Sequence, residues 1–305
     1  MSLESYVTGL MKEPSPKGMD RLVLSGLSQL EKMYFSQVEK KRTADMAAAV
    51  SAHVPVISVG NITAGGTGKT PCILMLAELF RSIGKKPAII SRGYKSGLEK
   101  EGGCVSDGRS ILVSQQMAGD EPYMMARKLP SVPIFIGKDR IASVKRAEEM
   151  GVGILLLDDG FQYWKLRRDQ DIILIDATNP FGYGHGLPRG LLREPLDALS
   201  RASLFILTKS DQVHLTDLME IREELARLAP GVPVLSSTHA PSKVVPYEKW
   251  KAFLHEGTLE NVRMKKAYLV SGIGNPAAFK KTAKEAGLRP VGEMPFPDHH
   301  RYTEE

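Results

Sequence analysis

One stretch constrains this chain more than any other. Residues 54–59, Val-Pro-Val-Ile-Ser-Val, form an apolar, β-branched run that reads as a buried strand. Residues 60–70, Gly-Asn-Ile-Thr-Ala-Gly-Gly-Thr-Gly-Lys-Thr, follow as a glycine-rich turn. A helical pattern then begins, with Pro71 in its first turn and Ile73, Leu74, Leu76, Ala77, Leu79, Phe80 and Ile83 along it; Gly84 suits its C-terminal stop. A strand, a glycine loop, Lys-Thr and a helix turn backbone N–H groups inward around a phosphate, and the helix N-terminus adds its partial positive charge. In that arrangement Lys69 reaches the β- and γ-phosphates and the Thr70 hydroxyl ligates Mg²⁺. One position departs from the pattern. Five residues before Gly68, where the motif asks for glycine, stands Thr63. The flanking strand and helix sustain the reading against its alternative, a glycine-rich βα turn with an incidental lysine.

At 305 residues the chain has room for about two domains. We expect a core over 1–240 and a smaller C-terminal domain over 241–305. Hydrophobic content of 42% with 25% charged residues fits a globular chain. The net charge of +6 suits anionic partners: nucleotide, phosphorylated lipid, acidic membrane surface or nucleic acid. Cys72 and Cys104 stand in neither a CxxC nor a zinc spacing, so a reducing compartment fits better than a disulfide framework. No secretory signal is evident, nor a run of about 18 apolar residues that would span a bilayer.

Taken in order, residues 3–11 are apolar and end at Pro14 and Pro16. Over 19–42, Val23, Leu27, Leu30, Tyr34 and Val38 fall at helical spacing, widened by Leu24, Met33 and Phe35 and followed by Lys40, Lys41 and Arg42. That pattern suits either an anionic membrane surface or a helix packed on the core. Residues 87–90 read as a strand ending in Ser91-Arg92-Gly93-Tyr94, at the edge where α/β sheets bind ligands. A hairpin is predicted over 104–106 and 111–113 around Asp107-Gly108. Gly119-Asp120-Glu121-Pro122 opens a helix through Leu129; its acids are either helix N-terminal charges or a general base and a metal ligand. After a strand at 132–136 and a helix to Met150, residues 154–157 run into Asp158-Asp159. A carboxylate at such a strand tip can hold Mg²⁺ beside the loop threonine.

Residues 172–175 and 204–207 read as further strands. The long basic loop 181–195 between them carries Arg189 and Arg193, suited to phosphate or carboxylate. Thr208-Lys209-Ser210-Asp211 loosely resembles the guanine-reading element of GTPases. A helix over 215–228 and a strand over 232–235 close the sheet. Beyond a connector-like passage from about 240, residues 268–276 begin a second strand–turn–helix unit without Gly-Lys-Thr, so no second nucleotide site is read there. His299 and His300 follow Asp298, which suggests a His–carboxylate partnership. The alternation of elements predicts an α/β fold: a P-loop NTPase-like, mostly parallel sheet flanked by helices, with a smaller C-terminal α/β domain and an N-terminal amphipathic helix.

Together GNITAGGTGKTP (60–71), SRGY (91–94), GDEP (119–122), DDGFQ (158–162), LPRGLLREP (187–195) and DHH (298–300) resemble the tetraacyldisaccharide 4′-kinases, in that family's order. The resemblance implies ATP- and Mg²⁺-dependent phosphorylation of the 4′-hydroxyl of an acylated glucosamine disaccharide 1-phosphate, a step of lipid A biosynthesis. It implies work at the cytoplasmic face of the bacterial inner membrane, with the 19–42 helix on the lipid. It implies neither nucleic acid nor an obligate protein partner.

By similarity the phosphate loop is Thr63, Ala64, Gly65, Gly66, Thr67, Gly68, Lys69 and Thr70. Asp120 is the base and Glu121 belongs to the metal shell with Thr70, Asp158 and Asp159. Arg140 lies near the transferring phosphate and His299 pairs with the base, so the two domains close on substrate. Arg92 and Arg193 contact either the 1-phosphate or the nucleotide. The family reads DDGFQH where position 163 here is Tyr, and the chain ends soon after DHH, which implies a shortened C-terminal domain. The competing reading is a membrane-associated switch ATPase of the partitioning type. Its loop carries an early lysine where this chain has Ala64.

Overall fold

The computed structural model describes residues 3–11, 13, 17–238, 240–252, 254, 256–273 and 276–297. The chain divides into two compact units, Met1–Ser237 and Thr238–Glu305. In the first unit the helices are α1 (Leu3–Met11), α2 (Met19–Ala47), α3 (Lys69–Ser82), α4 (Gln115–Ala118), α5 (Asp120–Lys128), α6 (Arg140–Glu149) and α7 (Leu215–Leu228). Its strands are β1 (Val56–Gly60), β2 (Pro87–Ser91), β3 (Gly103–Asp107), β4 (Pro133–Ile136), β5 (Ile154–Asp158), β6 (Gln170–Asp176), β7 (Leu204–Thr208) and β8 (Val234–Ser236). The second unit holds α8 (Tyr247–Lys251), β9 (Lys266–Ser271), α9 (Pro276–Glu285) and β10 (Arg289–Pro295).

The eight strands form one sheet in the order β3-β4-β2-β5-β1-β6-β7-β8. Every neighbouring pair is parallel except β3 with β4. The chain builds outward from β1 in two directions. β5 slots in on one side of it, pairing Val59 with Asp158, and β6 lies on the other. Such a reversal of strand order opens a crevice at the carboxyl ends, where α/β proteins bind ligands.

Both faces of the sheet are covered, which is why its strands read as unbroken apolar runs. Successive residues point to opposite faces. Val59, Ile89, Leu156, Leu174 and Ile206 pack with Ile73, Leu76 and Ala77 of α3 and Met125 and Ala126 of α5. Their neighbours Ala88, Ile90, Leu155 and Leu157 pack with Val144 and Ala147 of α6. Ile173, Ile175, Phe205 and Leu207 pack with Ile221 and Leu225 of α7. At roughly 1.5–3 kcal/mol for each fully buried large aliphatic side chain, this double lining makes the crevice a rigid platform.

The structure departs from the sequence reading in three places. The 111–113 arm of the predicted hairpin is reduced to a bridge between Ser106 and Ile111 and one further bond from the Leu112 amide to the Val105 carbonyl. The partner of β3 is β4, because a central strand offers a longer ladder than a turn of a few residues. The second is β10, a segment to which the sequence reading assigned no element, which pairs in parallel with β9 in spite of Pro290, Gly292 and Pro295. A register shift between Pro290 and Gly292 absorbs the irregularity. The third concerns α2, which runs to Ala47. Leu24 is buried and Phe35 packs against the core, while Leu30 and Met33 of the predicted stripe stay exposed with Met19 and Leu22. Of its basic cluster, Arg42 pairs with Glu39 at 2.7 Å, and Lys41 pairs with Asp45 and lies over the Trp164 ring. Among the described residues no helix is long and apolar enough to cross a membrane.

Candidate active site

The turn after β1 takes its shape from two glycines and a second loop. Gly65 (φ 116°) and Gly68 (φ 89°) occupy the left-handed region, where a side chain is strained. Thr63 does not need that freedom. It is buried and bridges Leu192 in antiparallel fashion, so an extended residue suits the place where the motif asks for glycine. The 181–195 loop supplies that bridge, with the Ala64 amide donating to the Leu191 carbonyl and the Arg193 amide to the Ile62 carbonyl. From the other side Thr208 Oγ1 donates to the Thr67 carbonyl at 3.1 Å. Lys209 Nζ pairs with Asp176 and approaches the Gly66 carbonyl at 3.5 Å. The TKSD element thus braces the loop.

What remains open is the inner side of the turn. Among the described residues no intramolecular acceptor engages the amides of Gly65, Gly66, Thr67 and Gly68. The Thr67 hydroxyl is buried without a hydrogen-bond partner. Four unclaimed amides at the start of a fourteen-residue helix are the donor set that a phosphate chain requires.

Lys69 and Thr70, the first residues of α3, point at acids. Lys69 Nζ donates to Asn61 Oδ1 at 3.2 Å and lies 3.6 Å from Asp159 Oδ1. Thr70 Oγ1 donates to Glu121 Oε1 at 3.3 Å. Asp159 follows β5 with φ 47°, an uncommon backbone that Asp tolerates better than most residues. Arg193 Nη1 contacts both of its carboxylate oxygens at 3.0 Å, and Arg140 Nη1 donates to its carbonyl. Burial pushes the Asp159 carboxyl up, but Lys69, Arg193 and Arg140 outweigh it and hold the group below the usual carboxylate range. Asp158, one residue earlier, behaves oppositely. It is buried, and burial raises its carboxyl although Ser91 Oγ donates to it at 2.9 Å; Asp159 pushes it further up while Arg140 opposes.

Asp120 and Glu121 sit in the first turn of α5, exposed, where the helix N-terminus favours negative charge. Gln115 Nε2 donates to Asp120 Oδ1 at 2.9 Å. Arg140 is buried, its guanidinium over the Tyr163 ring at 5.0 Å, and its amide donates to the Tyr163 hydroxyl. Burial lowers its pKa, and Asp158 and Asp159 counter that. Tyr163 is therefore a platform for Arg140. Arg92 turns to Glu99 at 2.7 Å, and Arg189 donates to Ser28 of α2. His299 and Asp298 lie outside the described residues.

Several polar groups that support this centre carry no motif signal of their own beyond their place in it: Asn61 under Lys69, Ser91 under Asp158, Gln115 beside Asp120, and buried Glu194, which takes Gln162 at 3.0 Å and Arg201 at 2.8 Å. Among the described residues no group of three or more His, Cys, Asp or Glu side chains forms a metal cage. Mg²⁺ in a phosphate-loop site does not need one, since it keeps waters and takes a hydroxyl, one or two carboxylates and the phosphates. A cavity of 530 Å³ at the opposite edge of the sheet is lined by Arg81, Lys85, Lys86 and Arg109. α3 and α6 end there, and Arg81 in the last turn of α3 offsets that helix C-terminus.

An open parallel sheet with a lysine–threonine amide loop after β1 and acids at the tip of β5 defines the P-loop class of nucleotide-dependent proteins. The family model described as Tetraacyldisaccharide-1-P 4′-kinase matches residues 21–305, and the chain belongs to that family. A tetraacyldisaccharide 4′-kinase of Halothermothrix orenii is 38% identical, over 98% of this chain and 80% of its own length. One of Desulfatibacillum aliphaticivorans is 42% identical, over 81% of this chain and 66% of its own. The crystal structure of LpxK from Aquifex aeolicus in complex with ATP superposes with a TM-score of 0.70 at 29% identity, covering 93% of this chain and 85% of that one.

Proposed function

We propose that this chain transfers the γ-phosphoryl group of ATP to the 4′-hydroxyl of an acylated glucosamine disaccharide 1-phosphate, a step in making lipid A. The observation that carries the reading is the convergence of Lys69 and Thr70 on Asp159 and Glu121 beside four unclaimed amides. Family membership supplies the acceptor.

In this reading residues 65–70 hold the phosphates, Thr63 and Ala64 being taken up by the 181–195 loop, and Lys69 leaves its contact with Asp159 to meet them. Thr70, Glu121, Asp158 and Asp159 form the shell for Mg²⁺, which supplies charge neutralisation on the phosphates. Asp120 accepts the proton of the 4′-hydroxyl, and its exposure leaves it open to an acceptor. Arg140 and Arg193 add positive charge where the phosphoryl group passes. The acceptor is lipid, and the exposed Met19, Leu22, Leu30 and Met33 on α2 suit an anionic inner-membrane surface on its cytoplasmic face.

Purified protein, labelled ATP, Mg²⁺ and a panel of hydroxylated acceptors test the reading. Label moves to the lipid disaccharide 1-phosphate and to no acceptor lacking the free 4′-hydroxyl. Hydrolysis of ATP at the same rate with or without glycolipid would contradict it and favour a switch ATPase.

A further inference from the structure

One face of α2 is tied to the loop that carries Arg193. Ser28 Oγ accepts from Arg189 Nη1 at 2.7 Å. The Glu31 carboxylate accepts from the Gly186 amide and lies 3.4 Å from His185 Nδ1. Tyr34 Oη donates to the Arg193 carbonyl at 3.0 Å. The Phe35 ring fills the space that a side chain at position 186 would need. Residues 28, 31, 34 and 35 are three and four apart, so they form a single helical stripe.

Arg193 lies where that loop runs beside Ile62, just ahead of the phosphate-binding turn, and it is held on three sides. Its amide donates to the Ile62 carbonyl at 2.8 Å, its carbonyl accepts from Tyr34, and its guanidinium takes both oxygens of Asp159. Two of these contacts belong to the strand-tip machinery; the third comes from α2. One nitrogen, Nη1, reaches both carboxylate oxygens at 3.0 Å, and it does so only when the Arg193 backbone is well placed. Burial raises the Tyr34 phenol above its ordinary range, so it stays a donor at neutral pH and above.

We propose that Tyr34 is a positioning residue for phosphoryl transfer: by gripping the Arg193 carbonyl it sets the Arg193 guanidinium against Asp159, while Glu31 anchors the other end of the same loop. This rests on the reading of the site given under the proposed function. It assigns α2 a part in the chemistry that is separate from any contact with lipid.

Tyr34→Phe removes one oxygen and leaves the ring. One hydrogen bond of ordinary strength corresponds to a loss in kcat of about 3- to 10-fold, with KM for ATP changed less than about twofold. In an Arg193→Met background, which has no cation to set against Asp159, the Tyr34 substitution causes no further loss. A merely structural role would lower both backgrounds alike, and that multiplicative result would overturn the proposal, as would a Tyr34→Phe enzyme with the kcat of the parent. Hydrogen exchange reads the grip without any acceptor: amides of residues 190–194 exchange faster in Tyr34→Phe, while those of β7 do not change. Unchanged exchange at 190–194 also overturns the proposal. A parent protein that phosphorylates no glycolipid, with faster exchange in the variant, would instead sink the assignment of the reaction.

Discussion

The two acidic walls of the site are built in contrasting ways. At the strand tips, Asp158 ends β5 and Asp159 follows it, and the two are pinned by Ser91, Lys69, Arg193 and Arg140. On the first turn of α5, Asp120 and Glu121 are exposed and each has one light partner, Gln115 and Thr70. The pinned wall is preorganised to receive charge without rearranging, as electrostatic stabilisation requires. The open wall leaves a carboxylate free to meet a hydroxyl. Even within the pinned wall the neighbours differ: Asp158 faces the interior and Asp159 faces cations.

The largest effect should come from the element between the walls. Lys69→Ala is expected to lower kcat by about 10³-fold or more, seen as loss of ADP formation with acceptor present. Asp120→Asn is expected to lower kcat by about 10²-fold or more with ATP affinity within about threefold, as calorimetric binding and turnover would show. If ATP affinity fell along with kcat, the division of labour between the walls would be wrong.

Stability sharpens the contrast between Asp158 and Asp159. The folded pKa of Asp159 is depressed, so its contribution is present above the unfolded value and is lost as pH falls through the folded one. The folded pKa of Asp158 is raised, so its contribution is present below the unfolded value and is lost as pH rises through the folded one. At neutral pH Asp159→Asn should therefore lower Tm and Asp158→Asn should raise it. As pH falls, the Asp158 difference should close first, between its raised folded value and the ordinary one of about 3.9, and the Asp159 difference only below that, through its depressed folded value. Shifts of the same sign at neutral pH would contradict the assigned environments. The smallest effect is expected for Ser91→Ala, about 0.5–1.5 kcal/mol of stability by denaturant unfolding.

Lys69, Thr70 and the paired acids were legible in the sequence because each ends or begins an element with its own periodicity. The sheet was legible for the same reason: β5, β6 and β7 are apolar on both faces. Partnerships that depend on strand order were not. Ser91 meets Asp158 only because β5 lies between β1 and β2, and nothing local to either strand encodes that insertion. β10 was illegible because Pro290, Gly292 and Pro295 argue locally against a strand, and its ladder with β9 overrides them. Thr63 broke the motif on paper, yet it pairs with Leu192 of a loop more than a hundred residues away.

The most direct test of the account is a crystal structure of this protein with a non-hydrolysable ATP analogue and Mg²⁺. The account predicts β- and γ-phosphate oxygens on the amides of residues 65–69, Lys69 turned from Asp159 to the phosphates, and the metal at Thr70. Phosphates bound elsewhere, as among Arg81, Lys85, Lys86 and Arg109, with Lys69 still on Asp159, would contradict it.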